Sequence, residues 1–124
     1  MNKEVEAYLD RGQRALAAET LLQDGYPSDA ASKSYYAMFY AAQAALRARG
    51  VEVIKHSAVE SFFGHHLVKT GHVDAKYHRL LIRARKLRET ADYSVREDVS
   101  EAVAHQTLAD GKEFVGVIKA LLAS

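Results

Sequence analysis

The segment SYYAMFYAAQAAL, residues 34–46, is the feature that most restricts how this chain can fold. It lies in a stretch without proline or glycine that begins at Ser28 or Asp29, either of which can cap a helix, and ends at Gly50, a common residue just after a helix. At helical spacing its side chains form two neighbouring stripes. The first stripe contains Tyr35, Met38, Phe39, Ala42 and Leu46, and the second contains Tyr36, Tyr40, Gln43 and Arg47. A fold that includes this helix must therefore cover two of its sides.

Two explanations account for the second stripe. A helix that packs only within its own chain seldom has aromatic residues on two faces, so Tyr36 and Tyr40 predict an interface with a helix from another copy, and hence a homodimer. A wide contact within the same chain is the alternative. The alanines between the aromatic residues permit close helix packing in both cases.

The rest of the sequence has the same helical periodicity. Proline occurs once, glycine seven times, and the apolar residues recur at spacings of three and four. The expected helices are 3–23, then Ser28 or Asp29 to Arg49, then His56 or Ser57 to about Thr70, then Asp74 to the RETADYS segment, and last a helix capped by Asp98 and Glu101, with VEVIKH as an extended connector. The predicted fold is all-α: an antiparallel up-and-down helical bundle of four to five helices, forming one domain over residues 1–124.

Several classes of function lack their sequence signals. The chain has no cysteine, and the adjacent His65 and His66 point about 100° apart on a helix, so we predict no metal and no cofactor. Neither G-x-S-x-G nor G-x-x-x-x-G-K-[ST] occurs, which argues against ordinary hydrolases and nucleoside triphosphatases. No apolar run approaches the ~20 residues of a membrane span, and nothing resembles a signal peptide. A cytoplasmic protein without a membrane partner is expected.

The charge is unevenly distributed along the chain. Residues 76–88 include six cations, and no acidic residue interrupts them. The cations are Lys76, Arg79, Arg83, Arg85, Lys86 and Arg88. This run indicates either a solvated helix face neutralised by acidic helices beside it or a surface that binds a polyanion.

The segment RETADY, residues 88–93, ends this basic run. Arg88 and Asp92 are four residues apart and share one face of the predicted helix, with Arg85 on the same face and Tyr93 just beyond. A carboxylate near a helix C-terminus meets the negative end of the helix dipole, so Asp92 is locally unfavourable. Guanidinium groups, a carboxylate and a phenol at one helix end suit a phosphate or nucleotide ligand.

Over nearly its whole length the chain resembles the HEPN domain, in particular the small stand-alone prokaryotic kind. The residues that carry the resemblance are Asp29, the run Ser34 to Ala42, Lys55-His56-Ser57, Phe62 or Phe63, Val68 to Gly71, and R-x-x-A-D-Y from Arg88 to Tyr93. The resemblance implies a dimeric helical bundle with a polar, arginine-centred site at the dimer interface. Many HEPN proteins are metal-independent ribonucleases, often toxins, and many are encoded beside a minimal nucleotidyltransferase that serves as partner or antitoxin.

The chain departs from the ribonuclease members at one position. Those proteins have arginine followed after four to six residues by histidine, whereas here Arg88 is followed after four residues by Tyr93. A phenol with a pKa near 10 is a poor base at neutral pH, so His56 is the candidate to replace the missing histidine. Three functions follow. The first is nucleotide or RNA binding through Arg85, Arg88, Asp92 and Tyr93; the second is RNA cleavage, with Arg88 on the phosphate, Asp92 orienting Arg88, and Tyr93 or His56 moving protons. The third is a plain interaction protein without a ligand.

Overall fold

The computed structural model describes residues 2–93 and 99–124, and for Tyr93 it describes the backbone only. Over these residues the chain is all-helical, without a strand, which confirms the predicted helical bundle. The described elements are α1 (Lys3–Ala15), α2 (Ala18–Gln23), α3 (Pro27–Ala48), α4 (His56–Phe63), a π-helical turn (Gly64–Val68), α5 (Ala75–Tyr93) and α6 (Glu101–Ala123). None of these helices is long and apolar enough to cross a membrane.

Helix α3 occupies the centre of the bundle. It contacts every other α-helix, and 13 of its 22 residues are buried, including every member of the first stripe. The second stripe also packs within the chain, since Gln43 is buried and Tyr36 and Tyr40 are half-buried. Tyr35, Phe63 and Phe114 are the largest fully buried side chains, and they belong to three different helices. The core is thus built around α3.

Glycines bring two helices unusually close to α3. A Cβ atom added to Gly12 in α1 would lie 3.0 Å from the carbonyl oxygen of Ala37 and 3.4 Å from the amide nitrogen of Ala41. A Cβ atom on Gly111 in α6 would lie 3.4 Å from the carbonyl oxygen of Ser34. The alanine-rich surface of α3 therefore meets backbone rather than side chains at these points.

The predicted helix over residues 3–23 is wrong in one respect, because it is broken between α1 and α2. The amide groups of Leu16 and Ala17 bond to the carbonyl groups of Gln13 and Arg14, three residues back, which is the tighter spacing of a 3₁₀ turn. Leu16 packs against two clusters of buried apolar residues, one that contains Tyr35 and Phe114 and one that contains Leu22 and Leu108. The break allows α2 to turn and contact α6 as well as α3.

The start of α5 has a side-chain capping bond, whereas the start of α4 has none. Helix α4 begins at His56, as predicted, and continues into the π-helical turn, where Gly64 packs against the ring of His78. Asp74 caps α5, since its Oδ1 accepts from the amide group of Lys76 at 2.8 Å.

The start of α6 differs from the predicted one. Ser100 caps this helix, and its hydroxyl accepts from the amide group of Val103. Glu101 is therefore the first helical residue, and it does not hold the third-residue place that the predicted capping box required. Asp98, the predicted cap, lies outside the described residues.

Gly12→Ala is expected to lower the free energy of unfolding by about 1–2 kcal/mol, because overpacking against the α3 backbone outweighs the gain in helix propensity. Gly116→Ala is the matched control, since a Cβ atom there meets nothing within 4 Å and should raise stability by up to about 1 kcal/mol. Urea unfolding of both variants measures the difference. An increase for Gly12→Ala equal to that for Gly116→Ala would show that α1 and α3 are not closely packed.

Candidate functional site

The side chain of Arg88 reaches from α5 to the aromatic surface of α3. Its Nη1 donates to the hydroxyl of Tyr36 at 3.2 Å and to Oδ2 of Asp92 at 3.3 Å. Its guanidinium carbon lies 5.7 Å from the ring centroid of Tyr35 and 5.8 Å from that of Tyr36, within cation–π range. Only 14% of the side chain is exposed. Arg88 is therefore a fixed and largely enclosed cation.

Asp92 is held from both sides. The carboxylate accepts from Arg88 through Oδ2 and from the hydroxyl of Ser32 in α3 through Oδ1, at 2.7 Å. The Ser32 bond offsets the unfavourable position of Asp92 near the end of α5. The sequence reasoning missed Ser32, although a signal was present: Ser32, Tyr36 and Tyr40 are spaced by four and so share one face of α3.

His56 lies on the other side of Tyr35. Its ring stacks on Phe39, with centroids 4.3 Å apart and planes 13° apart, and its Nδ1 lies 2.6 Å from the hydroxyl of Tyr35. Burial raises the pKa of Tyr35, so this hydroxyl stays protonated and shares a hydrogen bond with Nδ1 of His56. Burial, and then the positive charge of Arg88, lower the pKa of His56. The neutral form of His56 is therefore favoured, and its ring lies within the electrostatic field of Arg88.

Arg85 differs from Arg88 because two carboxylates compensate its charge. Its Nε donates to Glu60 at 2.7 Å and its Nη1 donates to Glu89 at 2.8 Å, and these bonds raise its pKa. Glu60 is one helical turn after His56 in α4, and its side chain is only 12% exposed. The pair therefore fixes α4 against α5. The sequence reasoning did not identify Glu60, because the two residues are 25 positions apart.

Three further predicted residues are Tyr93, at the phosphate site, and Tyr36 and Tyr40, at the dimer interface. The side chain of Tyr93 lies outside what the structure describes, so its role stays a prediction. Tyr36 and Tyr40 both have partners within the chain, since Tyr36 accepts from Arg88 and the guanidinium of Arg11 lies 5.8 Å from the ring centroid of Tyr40. The homodimer with these two tyrosines at its interface also stays a prediction.

The basic run is neutralised in part. Lys76 pairs with Glu113 at 2.6 Å, and Arg85 and Arg88 have the partners given above. Arg79, Arg83 and Lys86 are exposed and form no ion pair with the residues that the structure describes. Within the described ranges, no group of three or more histidine, aspartate or glutamate residues could hold a metal ion.

Comparison with known proteins identifies the family. The model of the HEPN domain matches residues 5–121. The chain belongs to the HEPN family. It is 35% identical to a "UPF0332 protein" of Gloeobacter violaceus, over 99% of both chains. It is also 29% identical to two proteins of Methanocaldococcus jannaschii, each named "Putative toxin", over 98% of this chain and 84% and 91% of theirs.

Membership in the HEPN family confirms the resemblance found in the sequence and agrees with the helical bundle. The matched range includes Ser32, Tyr35, Tyr36, His56, Arg88 and Asp92. Chemically, these residues combine a fixed cation, an acceptor that orients it and a neutral imidazole. Such a set can bind an oxyanion and can exchange a proton close to it.

Arg88→Gln is expected to raise the pKa of His56, because the guanidinium is the largest cause of the lowered value after burial. Burial remains in the variant, so the pKa should stay below the ordinary value of about 6.5. Titration of the His56 ring protons by NMR measures the shift. Arg79→Gln is the control, since it removes an exposed arginine of the same helix, and an equal shift in both variants would contradict a local effect.

The lowered pKa of His56 also determines the direction in which folding stability changes with pH. The unfolded chain binds the His56 proton more tightly than the folded chain does, so this contribution to stability is complete above pH ~6.5. It is lost as the pH falls from there through the folded pKa.

Proposed function

We propose that this HEPN protein is the toxin-like member of a two-protein system and binds a phosphate group of a nucleotide or of RNA through Arg88. The supporting observation is the fixed position of Arg88. It bonds to Asp92 and to the hydroxyl of Tyr36, and its guanidinium lies within cation–π range of the rings of Tyr35 and Tyr36. The names of the two Methanocaldococcus jannaschii relatives agree with a toxin-like role. Asp92, held in turn by Ser32, is the residue that orients Arg88.

The fixed position of Arg88 is what suits it to phosphate. A guanidinium group presents its donors in a planar fork that matches two phosphate oxygens, and a side chain already held in place loses little conformational entropy on binding. Arg85 is less suited to contact phosphate directly, because its Nε and Nη1 already donate to Glu60 and Glu89. We assign Arg85 the role of holding α4, and with it His56, in place. Tyr93 remains a candidate ligand contact because it directly follows Asp92.

The partners in this proposal are a second copy of the chain and a minimal nucleotidyltransferase, in the cytoplasm. The homodimer draws support from Tyr36 and Tyr40, which are only half-buried within one chain. Because Tyr36 bonds directly to Arg88, a second copy placed on Tyr36 would lie next to the phosphate site. The nucleotidyltransferase is proposed from family membership.

Metal-independent RNA cleavage is the second candidate function, and the neutral protonation state of His56 favours it. A neutral imidazole can accept a proton at neutral pH when Nδ1 donates to the Tyr35 hydroxyl and Nε2 is left unprotonated, whereas a phenol cannot do so readily. In this reaction His56 would take the proton of the attacking ribose hydroxyl, and Tyr93, a better proton donor than acceptor, would protonate the departing ribose oxygen. Arg88 would stabilise the charge that develops on the phosphate, and Asp92 would keep Arg88 aligned.

Arg88→Lys is expected to lose most binding of nucleotide and RNA, because lysine keeps the charge but not the planar fork. Arg79→Ala and Arg83→Ala are matched controls from the exposed side of the same helix and should change affinity little. Affinities at two salt concentrations separate geometric recognition from summed charge. Equal losses in all three variants, or full binding by Arg88→Lys, would contradict a phosphate site at Arg88.

Arg88→Ala is a less clean test than Arg88→Lys. The side chain of Arg88 is enclosed and packs on two rings. Its truncation should therefore also lower the melting temperature.

If the protein cleaves RNA, cleavage should persist in EDTA, because no metal ligand set occurs among the residues described. His56→Gln should then abolish cleavage while RNA binding persists, and Tyr93→Phe should also do so if the phenol protonates the departing oxygen. Gel analysis of RNA incubated with each variant gives the result. Loss of activity in EDTA that returns with added Mg²⁺ would contradict the metal-independent reaction.

A further inference from the structure

A groove of about 700 Å³ lies beside the Arg88 site, and no role has been assigned to it so far. Its walls come from α1 and α2 on one side and from α3 on the other. We call it the α1–α3 groove. The residues that give it its chemistry are Arg11, Arg14, Lys33, Tyr36 and Tyr40.

Among the residues that the structure describes, the charges lining the α1–α3 groove are all positive. They belong to Arg11, Arg14 and Lys33, and no described acidic residue lines the groove. The nearest compensation is Asp10, which pairs with Arg14 at 3.0 Å, but both side chains are more than 60% exposed. Such a surface pair contributes little, so Arg14 can turn to an anionic ligand at small cost.

Two aromatic rings accompany these cations. The rings of Tyr36 and Tyr40 line the groove with centroids 6.1 Å apart, and Arg11 lies over Tyr40. Cations that follow a phosphate backbone, together with aromatic faces on which bases stack, are the combination that binds single-stranded nucleic acid. An apolar ligand would contact the rings but would not compensate the charges of the three cations.

Tyr36 connects the groove to the Arg88 site. It lines the groove, and its hydroxyl accepts the hydrogen bond from Nη1 of Arg88. A strand whose phosphate contacts Arg88 can therefore enter the groove past a single side chain. We propose that the α1–α3 groove holds the neighbouring nucleotide of a single-stranded nucleic acid, with its phosphate on Arg14 and Lys33 and its base on Tyr40. This inference rests on the phosphate site proposed at Arg88.

A second copy of the chain fits the groove less well than a polyanion does. Two such grooves related by a twofold axis would bring like charges together, which opposes association. Of the two tyrosines proposed for the homodimer interface, we therefore expect Tyr36 to contact the second copy and Tyr40, on the charged side of the groove, to stay open to the nucleotide.

The test compares two double variants with the same change in charge. Arg14→Gln/Lys33→Gln removes two exposed cations of the groove, and Arg79→Gln/Arg83→Gln removes two exposed cations of α5. The probes are AMP and a single-stranded 2′-O-methyl RNA hexamer, which lacks the hydroxyl needed for cleavage. The groove variant should bind AMP as the unmodified protein does but should bind the hexamer more weakly. For the hexamer, the slope of log affinity against log salt should fall by about 0.7, because one phosphate loses its contact with the protein. The α5 variant should keep both affinities.

The possible results separate the groove from the Arg88 site. Equal losses in the two double variants, or an unchanged hexamer affinity in the groove variant, would overturn the groove proposal. The same conclusion would follow if the groove variant altered self-association in sedimentation, or if the unmodified protein bound neither probe. If Arg88→Lys retained AMP binding while the groove variant lost hexamer affinity, the groove would stand and the proposed role of Arg88 would fall.

Discussion

The close approach of α1 and α6 to α3 is the constraint on which the rest of the structure depends. Gly12 and Gly111 let the two helices meet the backbone of α3 directly, so that α3 is enclosed on two sides by short contacts. Large side chains are then left for the sides that face α4 and α5. Tyr35, Tyr36 and Phe39 lie there, and they form the surface against which Arg88 and His56 are placed. Small residues on one side of α3 and large ones on the other thus determine where the candidate site forms.

The distance between Arg88 and His56 is controlled by a third contact. The two residues belong to different helices, and both lie near the rings of Tyr35 and Tyr36. Glu60, one turn after His56, accepts from Arg85, one turn before Arg88, and this ion pair is mostly shielded from solvent. An ion pair in that position resists sliding of α4 along α5 more than an exposed pair would, because breaking it leaves a partly buried charge. The depressed pKa of His56 depends on this geometry, since the influence of Arg88 falls with distance.

Local sequence patterns were sufficient to predict most of the helices, because apolar spacing and capping residues act within a few positions of the chain. The first residue of α4, the cap of α5 and the last turn of α3 illustrate this. Two site residues that the sequence reasoning missed, Ser32 and Glu60, bond to residues far away in the sequence. Ser32 and Asp92 are 60 positions apart, and the break at Leu16 reflects packing against two separate hydrophobic clusters. For Arg88, the i, i+4 partner was evident in the sequence, but its enclosure by Tyr35 and Tyr36 depends on how α5 packs on α3.

The second aromatic stripe illustrates how one pattern can satisfy two physical requirements. Its residues were expected to face another helix because exposed aromatic rings are costly in water. In the structure, cations of the same chain partly stabilise these rings through cation–π contacts: Arg88 lies over Tyr36, and Arg11 lies over Tyr40. Half-buried rings flanked by arginines are still available to stack, whereas fully buried rings such as Tyr35 are not. The first stripe therefore serves the core, and the second gives α3 an aromatic surface that can receive a planar ligand close to fixed positive charge.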